Sequence, residues 1–186
     1  MKVQVVSFSG RNKGNCSSLM NLIRDHYSNE NVSTINVRDL IIHECSGCEY
    51  ECMENVCPFI KDDLFSLFEI TKEFDYLIWL VPMYCGNPSS LYFKVNERSQ
   101  CYWMKDEKYY NHFASKLFII GIGNGEVVST FKNVLSLPFE CQDINKHVMI
   151  LSPHDYKLNS IVDLLVDVIS VKNQILKFIP TIPSKK

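Results

Sequence analysis

Nearly continuous apolar runs alternate with stretches of helical periodicity along the whole chain, and this alternation restricts the fold more than any single motif does. Residues 3–8 are dominated by β-branched and aromatic side chains and read as a buried strand, after which Leu19, Met20, Leu22 and Ile23 follow at helical spacing. Further strands are predicted at 32–37, 76–81, 117–122 and 148–151, with helices between them. Asp62 and Asp63 open one such helix with carboxylates at its positive end, ahead of Leu64, Leu67, Phe68 and Ile70. The last helix is predicted over 159–178, where Ile161, Val162, Leu165, Val168, Ile169, Ile175 and Leu176 recur at three- and four-residue steps. Apolar strands that are each followed by a helix need cover on both faces. The class is therefore α/β: a doubly wound, five-stranded parallel sheet of order 2-1-3-4-5 with helices on both sides.

The 186 residues suit one domain spanning 1–186, since no internal repeat, low-complexity segment or linker divides them. The irregular stretch 38–61 is long for such a fold, which marks it as a functional or mobile loop. A formal charge of −2, with 46% hydrophobic and 22% charged residues, argues against disorder and against a protein that coats a polyanion such as nucleic acid. No apolar run approaches the roughly 18 residues of a membrane span. The short run after Lys2 ends in Ser-Gly-Arg rather than in a small-residue cleavage site, so the expected location is the cytoplasm.

In open α/β sheets, ligands bind beyond the carboxyl ends of the strands, where the strand order reverses. The loop after the first strand reads Ser9-Gly10-Arg11-Asn12-Lys13-Gly14-Asn15-Cys16-Ser17-Ser18. It combines small polar side chains and two cations with no acid, and it leads into a helix whose first N–H groups and dipole favour an anion. This is chemistry for a phosphate, although it is neither a Walker A loop nor a Gly-x-Gly-x-x-Gly loop. The competing reading is a solvated Ser/Asn/Gly turn with a helix cap. Cys16 stands at the helix start, where a thiol tends towards a lowered pKa, but it is read as a bystander to the phosphate.

Two more polar loops follow strand ends. Pro82-Met83-Tyr84-Cys85-Gly86-Asn87 has its backbone fixed by proline and glycine and offers an aromatic and amide-bearing surface to a flat ring. Gly121-Ile122-Gly123-Asn124-Gly125-Glu126 allows close backbone approach, which a tight strand-to-helix turn explains equally well. With the order 2-1-3-4-5, the ends of strands one, three and four are neighbours.

These loops carry a resemblance. Ser9-x-Arg11 with Asn15-x-Ser17, Pro82-x-Tyr84-x-Gly86-Asn87 and Gly121-x-Gly123 resemble the phosphate and isoalloxazine loops of the flavodoxin-like NAD(P)H-dependent FMN reductase family, including its branch of small flavoproteins with a cysteine-rich loop. The likeness covers about residues 3–155. The family's Lys-x-Phe-x-Asp-Arg helix signature stands altered here, as Phe93-Lys94-Val95-Asn96-Glu97-Arg98, and Gly10 replaces a common proline. The resemblance implies a flavodoxin-like fold in which Ser9, Arg11, Asn15, Cys16, Ser17 and Ser18 surround the FMN phosphate. It places Pro82, Met83, Tyr84, Cys85, Gly86 and Asn87 along the ring, and Gly121, Ile122, Gly123 and Asn124 at its far edge. It also implies hydride transfer from NAD(P)H through FMN to a small acceptor, with the chemistry residing in the cofactor. No nucleophile elbow or His-Glu-x-x-His is present. His154-Asp155 is read as an ordinary loop.

Four cysteines in the pattern Cys45-x2-Cys48-x3-Cys52-x4-Cys57 lie too close together for a zinc ribbon and nearer to the compact spacing that wraps a [4Fe–4S] cluster. The resemblance implies the same cluster, because the family's iron–sulfur branch carries such a loop before a Lys-Asp-Asp, here Lys61-Asp62-Asp63. Zinc, and free thiols in a loop that covers the flavin or a partner, stay open as alternatives. The aromatics Tyr92, Phe93, Tyr102, Trp103, Tyr109, Tyr110 and Phe113 are dense enough for a homodimer interface, with core packing as the competing explanation. Two functions stand beside the reductase: an iron–sulfur electron-transfer flavoprotein fed by a protein donor, and a non-enzymatic redox or metal sensor built on the cysteine loop.

Overall fold

The computed structural model describes residues 1–46, 48–124, 128–139, 143–159 and 161–181. In chain order the elements are β1 (Val3–Ser7), α1 (Asn15–Tyr27), β2 (Val32–Asn36), α2 (Asp63–Thr71), β3 (Tyr76–Tyr84), β4 (Asn87–Pro88), α3 (Ser90–Trp103), α4 (Glu107–Lys116), β5 (Leu117–Ile122), α5 (Val128–Ser136), α6 (Ile144–His147), β6 (Val148–Leu151) and α7 (Ile169–Phe178). Five strands form a parallel sheet ordered β2-β1-β3-β5-β6, and β4 pairs antiparallel with the end of β3. Setting aside two-residue β4, this is the expected order 2-1-3-4-5.

Period-two alternation divides the strand side chains between two cores. Leu77, Trp79 and Val81 of β3 point to one face, with Val6, Phe68, Val95, Phe113 and Leu135. Ile78 and Leu80 point to the other, with Val5, Leu19, Ile23, Ile120, Val171 and Ile175. Helices α2 to α5 therefore cover one face, and α1 and α7 the other. The chain leaves β1 towards one face and β3 towards the opposite one, which opens the crevice at the ligand end of the sheet.

β3 runs three residues past its predicted end and through Pro82. Phe8 N–H donates to Leu80 O (2.9 Å), so Leu80 faces β1 and Pro82, two residues on, faces the same side beyond the end of β1, where no ladder bond is lost. The last helix begins at Ile169 rather than at 159. Asn159 N–H donates to Asp163 Oδ2 (2.7 Å) and Ile161 N–H to Asn159 Oδ1 (3.0 Å), and these side chains hold the backbone in a turn instead of a helix. Ile161 and Val162, predicted to be core, are 71% and 70% exposed. The stretch 38–61 is irregular apart from short 3₁₀ turns, and among the described residues no helix is long and apolar enough to cross a membrane.

Candidate functional site

The loop after β1 folds back on itself before α1. Arg11 N–H donates to Ser9 Oγ (3.1 Å), and Gly14 adopts φ 133°, which only glycine tolerates well, to begin the helix. α1 starts with no side-chain cap and no acid in its first turn. Ser17 and Ser18 do not cap it, because their hydroxyls donate to the carbonyls of Gly14 (2.9 Å) and Asn15 (3.0 Å). The first N–H groups of α1 are thus left for an anion. Cys16 is buried beside them, and burial pushes its thiol up to about 12 against the lowering effect of Ser9, Ser7 and Arg11, so it remains a neutral thiol.

At the end of β3, Cys85 (φ 48°) and Gly86 (φ 80°) form a two-residue hairpin turn into β4. Asn87 Nδ2 closes it on Cys85 O (3.2 Å). Ser89 ties this loop to β1 by donating to Phe8 O (2.7 Å) while capping α3. Beyond β5, Gly123 packs so tightly on Met83 that a Cβ on it would stand 2.5–2.8 Å from that side chain. Gly123 N–H donates to Leu151 O (3.0 Å), and Asn124 Oδ1 accepts from Ser152 Oγ (3.3 Å) and His154 N–H (3.0 Å). His154-Asp155 therefore belongs to a 3₁₀ turn that buttresses this loop.

One cavity of about 300 Å³ joins the three loops. Of the sixteen residues named from the sequence, Ser9, Arg11, Asn15, Cys16, Pro82, Met83, Tyr84, Ile122, Gly123 and Asn124 line it. Ser17, Ser18, Cys85, Gly86 and Asn87 do not line it. Gly121 packs against α5 instead, where a Cβ would meet Ile150, Phe131 and Leu135 at 2.6–2.9 Å. Gly125 and Glu126 lie outside the described residues. Lys13, Gly14, Pro153 and Ile161 complete the lining, which among the described residues contains two cations, Arg11 and Lys13, and no carboxylate. Ile161 was not foreseen here: its carbonyl accepts from Arg11 Nη2 (3.2 Å), which draws the turn before α7 over the loop after β1. Arg38 also donates to the Arg11 carbonyl from the turn after β2.

The loop cysteines gather on α3 rather than on this cavity. Cys45, Cys48, Cys52 and Cys57 surround a space of about 20 Å³ together with Cys101 and Arg98, and Cys48 and Cys52 are 3.8 Å apart at sulfur. Such a space holds at most one water, and no three metal-ligating side chains among the described residues are placed to hold an ion. This arrangement does not fit a [4Fe–4S] cluster or zinc. Cys101, from outside the run, is a fifth thiol here, and the local spacing gives no sign of it. Burial, foremost, pushes its thiol up to about 12. The dense aromatics around it pack mainly inward: Trp103 lies 4.6 Å from Phe113 and 4.7 Å from Phe68, and Tyr102 donates to Glu69 Oε1 (2.5 Å).

The family described as NADPH-dependent FMN reductase matches residues 1–154. An iron-sulfur flavoprotein of Archaeoglobus fulgidus is 27% identical over 116 residues, 61% of this chain and 57% of that protein. The chain thus spans a little over half the length of this curated relative. Among solved structures, the Trp repressor binding protein from Bacillus subtilis aligns with a TM-score of 0.59 at 14% identity, over 94% of this chain and 97% of that one. RosB with bound 8-demethyl-8-formylriboflavin-5'-phosphate aligns with a TM-score of 0.59 at 15% identity, over 82% of this chain and 65% of that one. At these identities the structural likeness speaks for the fold, which is flavodoxin-like. With a family match across most of its length, the chain is a member of the NADPH-dependent FMN reductase family.

Proposed function

We propose that this chain is an FMN-dependent oxidoreductase that takes hydride from NAD(P)H and passes it to a small acceptor such as free flavin or a quinone. The observation that carries the reading is the uncapped start of α1, which opens with Arg11 and Lys13 into the cavity bordered by Met83, Tyr84 and Gly123. An uncapped helix start beside two cations fits a phosphate monoester. Ser9, Arg11, Lys13 and Asn15 would hold that group, with Ser17 and Ser18 supporting the backbone behind it. Pro82, Met83 and Tyr84 would border one side of the ring, and Ile122, Gly123 and Asn124 the other. When bound, FMN would supply the hydride chemistry, so the protein needs no general base of its own. Its residues would orient the ring and exclude water, and the half-exposed Tyr84 would meet an incoming nicotinamide or acceptor.

A second reading, electron transfer through an iron–sulfur centre, is favoured by the four clustered cysteines and by the name of the Archaeoglobus relative. The close packing of these thiols around a space of about 20 Å³ speaks against it. Anaerobic purification followed by assay of flavin, iron and zinc tests both. About one FMN per chain, bleached by NADPH or NADH, supports the reductase. Iron near four per chain, with a flavin that no nicotinamide reduces, supports the second reading, and a chain that takes up no flavin overturns the first.

A further inference from the structure

Within the cysteine loop the backbone is bent so that two thiols meet. Glu49 (φ 45°) and Tyr50 (φ 65°) are both left-handed, a conformation that residues other than Gly, Asn and Asp seldom adopt. Glu51 N–H donates back to Cys48 O (2.7 Å), which closes residues 48–51 into a turn with positive φ at both central positions. A 3₁₀ turn, Glu51–Met53, follows at once, and Met53 N–H donates to Tyr50 O (2.9 Å). This reversal brings Cys52 Sγ to 3.8 Å from Cys48 Sγ, and both are free thiols. Cys48 is partly exposed and Cys52 is buried, so one member of the pair is open to solvent and the other is not. Cys57 and Cys101, which border the same space, are both buried. This space shares no lining residue with the cavity at the strand ends.

We propose that Cys48 and Cys52 form a reversible dithiol–disulfide pair whose oxidant is hydrogen peroxide, with Cys48 the attacking thiol and Cys52 the resolving one. The Cys48 sulfur takes one peroxide oxygen as the O–O bond breaks, the other oxygen leaves as water with the thiol's proton, and a sulfenic acid forms. The Cys52 sulfur then displaces that hydroxyl, which leaves as water with the Cys52 proton, and an S–S bond closes. Two thiols are oxidised and one peroxide is reduced to two waters. An accessible thiol with a resolving cysteine beside it is the arrangement in which oxidation stops at a disulfide. The sulfurs already touch, and a disulfide brings them to about 2.05 Å. The pair lies away from the cavity at the strand ends, so the proposal does not rest on what that cavity binds.

The test uses the full chain, purified under reductant, supplied with FMN and assayed for iron and zinc before the reductant is removed. One equivalent of hydrogen peroxide is added, the remaining thiols are alkylated, and the protein is cut after glutamate, which separates Cys48 from Cys52 at Glu49 and Glu51. Mass spectrometry should find fragment 45–49 joined to fragment 52–54 through Cys48, with Cys45 alkylated, and dithiothreitol should restore both thiols. Cys52→Ser should stop at a Cys48 sulfenic acid, which dimedone traps, whereas Cys45→Ser should still form the disulfide. Should either variant fail to fold, the fragment map of the wild type decides. Cys45 or Cys57 joined to Cys52 as often as Cys48 is, a wild type that keeps all its thiols or holds Cys48 as a sulfenic acid, or stoichiometric iron or zinc bound by these thiols would each overturn the proposal.

Discussion

Arg98 on α3 and Asp62 at the cap of α2 form an ion pair, with Nη1 and Oδ2 2.8 Å apart and each side chain about 1% exposed. The guanidinium also donates to His43 O (2.8 Å), to Phe59 O (3.4 Å) and towards Cys57 Sγ (3.6 Å). The carboxylate accepts from His43 N–H (3.0 Å) and caps α2 through Leu64 N–H (3.1 Å). One buried pair thus fastens both ends of the cysteine loop to α3.

Removing one partner of a buried pair strands the other. Arg98→Met should therefore destabilise the fold by about 3–5 kcal/mol in urea unfolding, and adding Asp62→Asn should recover part of the loss. The pair also predicts a pH dependence. Burial by itself raises the Asp62 carboxyl, but the His43 N–H, the Arg98 guanidinium and the Leu64 N–H outweigh it and hold the group below the ordinary carboxylate range. Because the folded value lies below the unfolded one of about 3.9, the stabilisation is complete above that unfolded value and is lost as pH falls through the folded one. Arg98→Met removes one of those opposing effects, so its acid-unfolding midpoint by circular dichroism should move to higher pH.

The exposed Arg11 guanidinium lies about 3.6 Å from where a Cβ on Gly14 would stand, at the uncapped helix start. Arg11→Ala should weaken FMN by about tenfold to a hundredfold, the value of a charge-assisted hydrogen bond. Arg11→Glu should weaken it further. Quenching of flavin fluorescence on titration measures both, and an unchanged affinity would place the phosphate elsewhere.

The strands were readable because a buried parallel strand is apolar throughout: 117–122 and 148–151 coincide with β5 and β6. The site loops were readable because they follow those strands and carry glycine, small polar residues and cations. Periodicity failed at Ile161 and Val162, since it counts apolar side chains and not the Asn159 and Asp163 groups that hold the backbone in a turn. It is the Ile161 carbonyl, not its side chain, that engages Arg11. Helical spacing from Val95 puts Arg98 on a buried stripe, which demands a partner. Nothing local says that the partner is Asp62, 36 residues earlier.

Gly121 and Gly123 belong to one motif but should answer differently to substitution. Gly121→Ala drives a Cβ into Ile150, Phe131 and Leu135, inside the core under α5. It should cost about 1–3 kcal/mol and leave flavin affinity in the surviving fold little changed. Gly123→Ala meets Met83 instead, at Cβ as well as at the flexible tip, so the two loops must part. Its main effect should fall on flavin affinity. Thermal unfolding and flavin titration of both variants check the division, and matching profiles would show that the two glycines share one role.

Asn15 links the start of α1 to the turn before α7: its Oδ1 accepts from Leu165 N–H (2.7 Å) and its Nδ2 reaches Asp163 O (3.5 Å). Asn15→Ala leaves the Leu165 N–H without its acceptor and should cost about 1–3 kcal/mol of stability. Asn15→Asp keeps an acceptor for Leu165 and places a negative charge at the positive end of α1, which favours the fold by about 0.3–1 kcal/mol. Asn15 also lines the cavity with Arg11, so that same charge would repel a phosphate bound there. Asn15→Asp should therefore unfold no earlier than the wild type and yet lose most of its FMN affinity. If stability and affinity fall together in both variants, Asn15 serves only to hold the turn; if they separate as described, the start of α1 is the anion site.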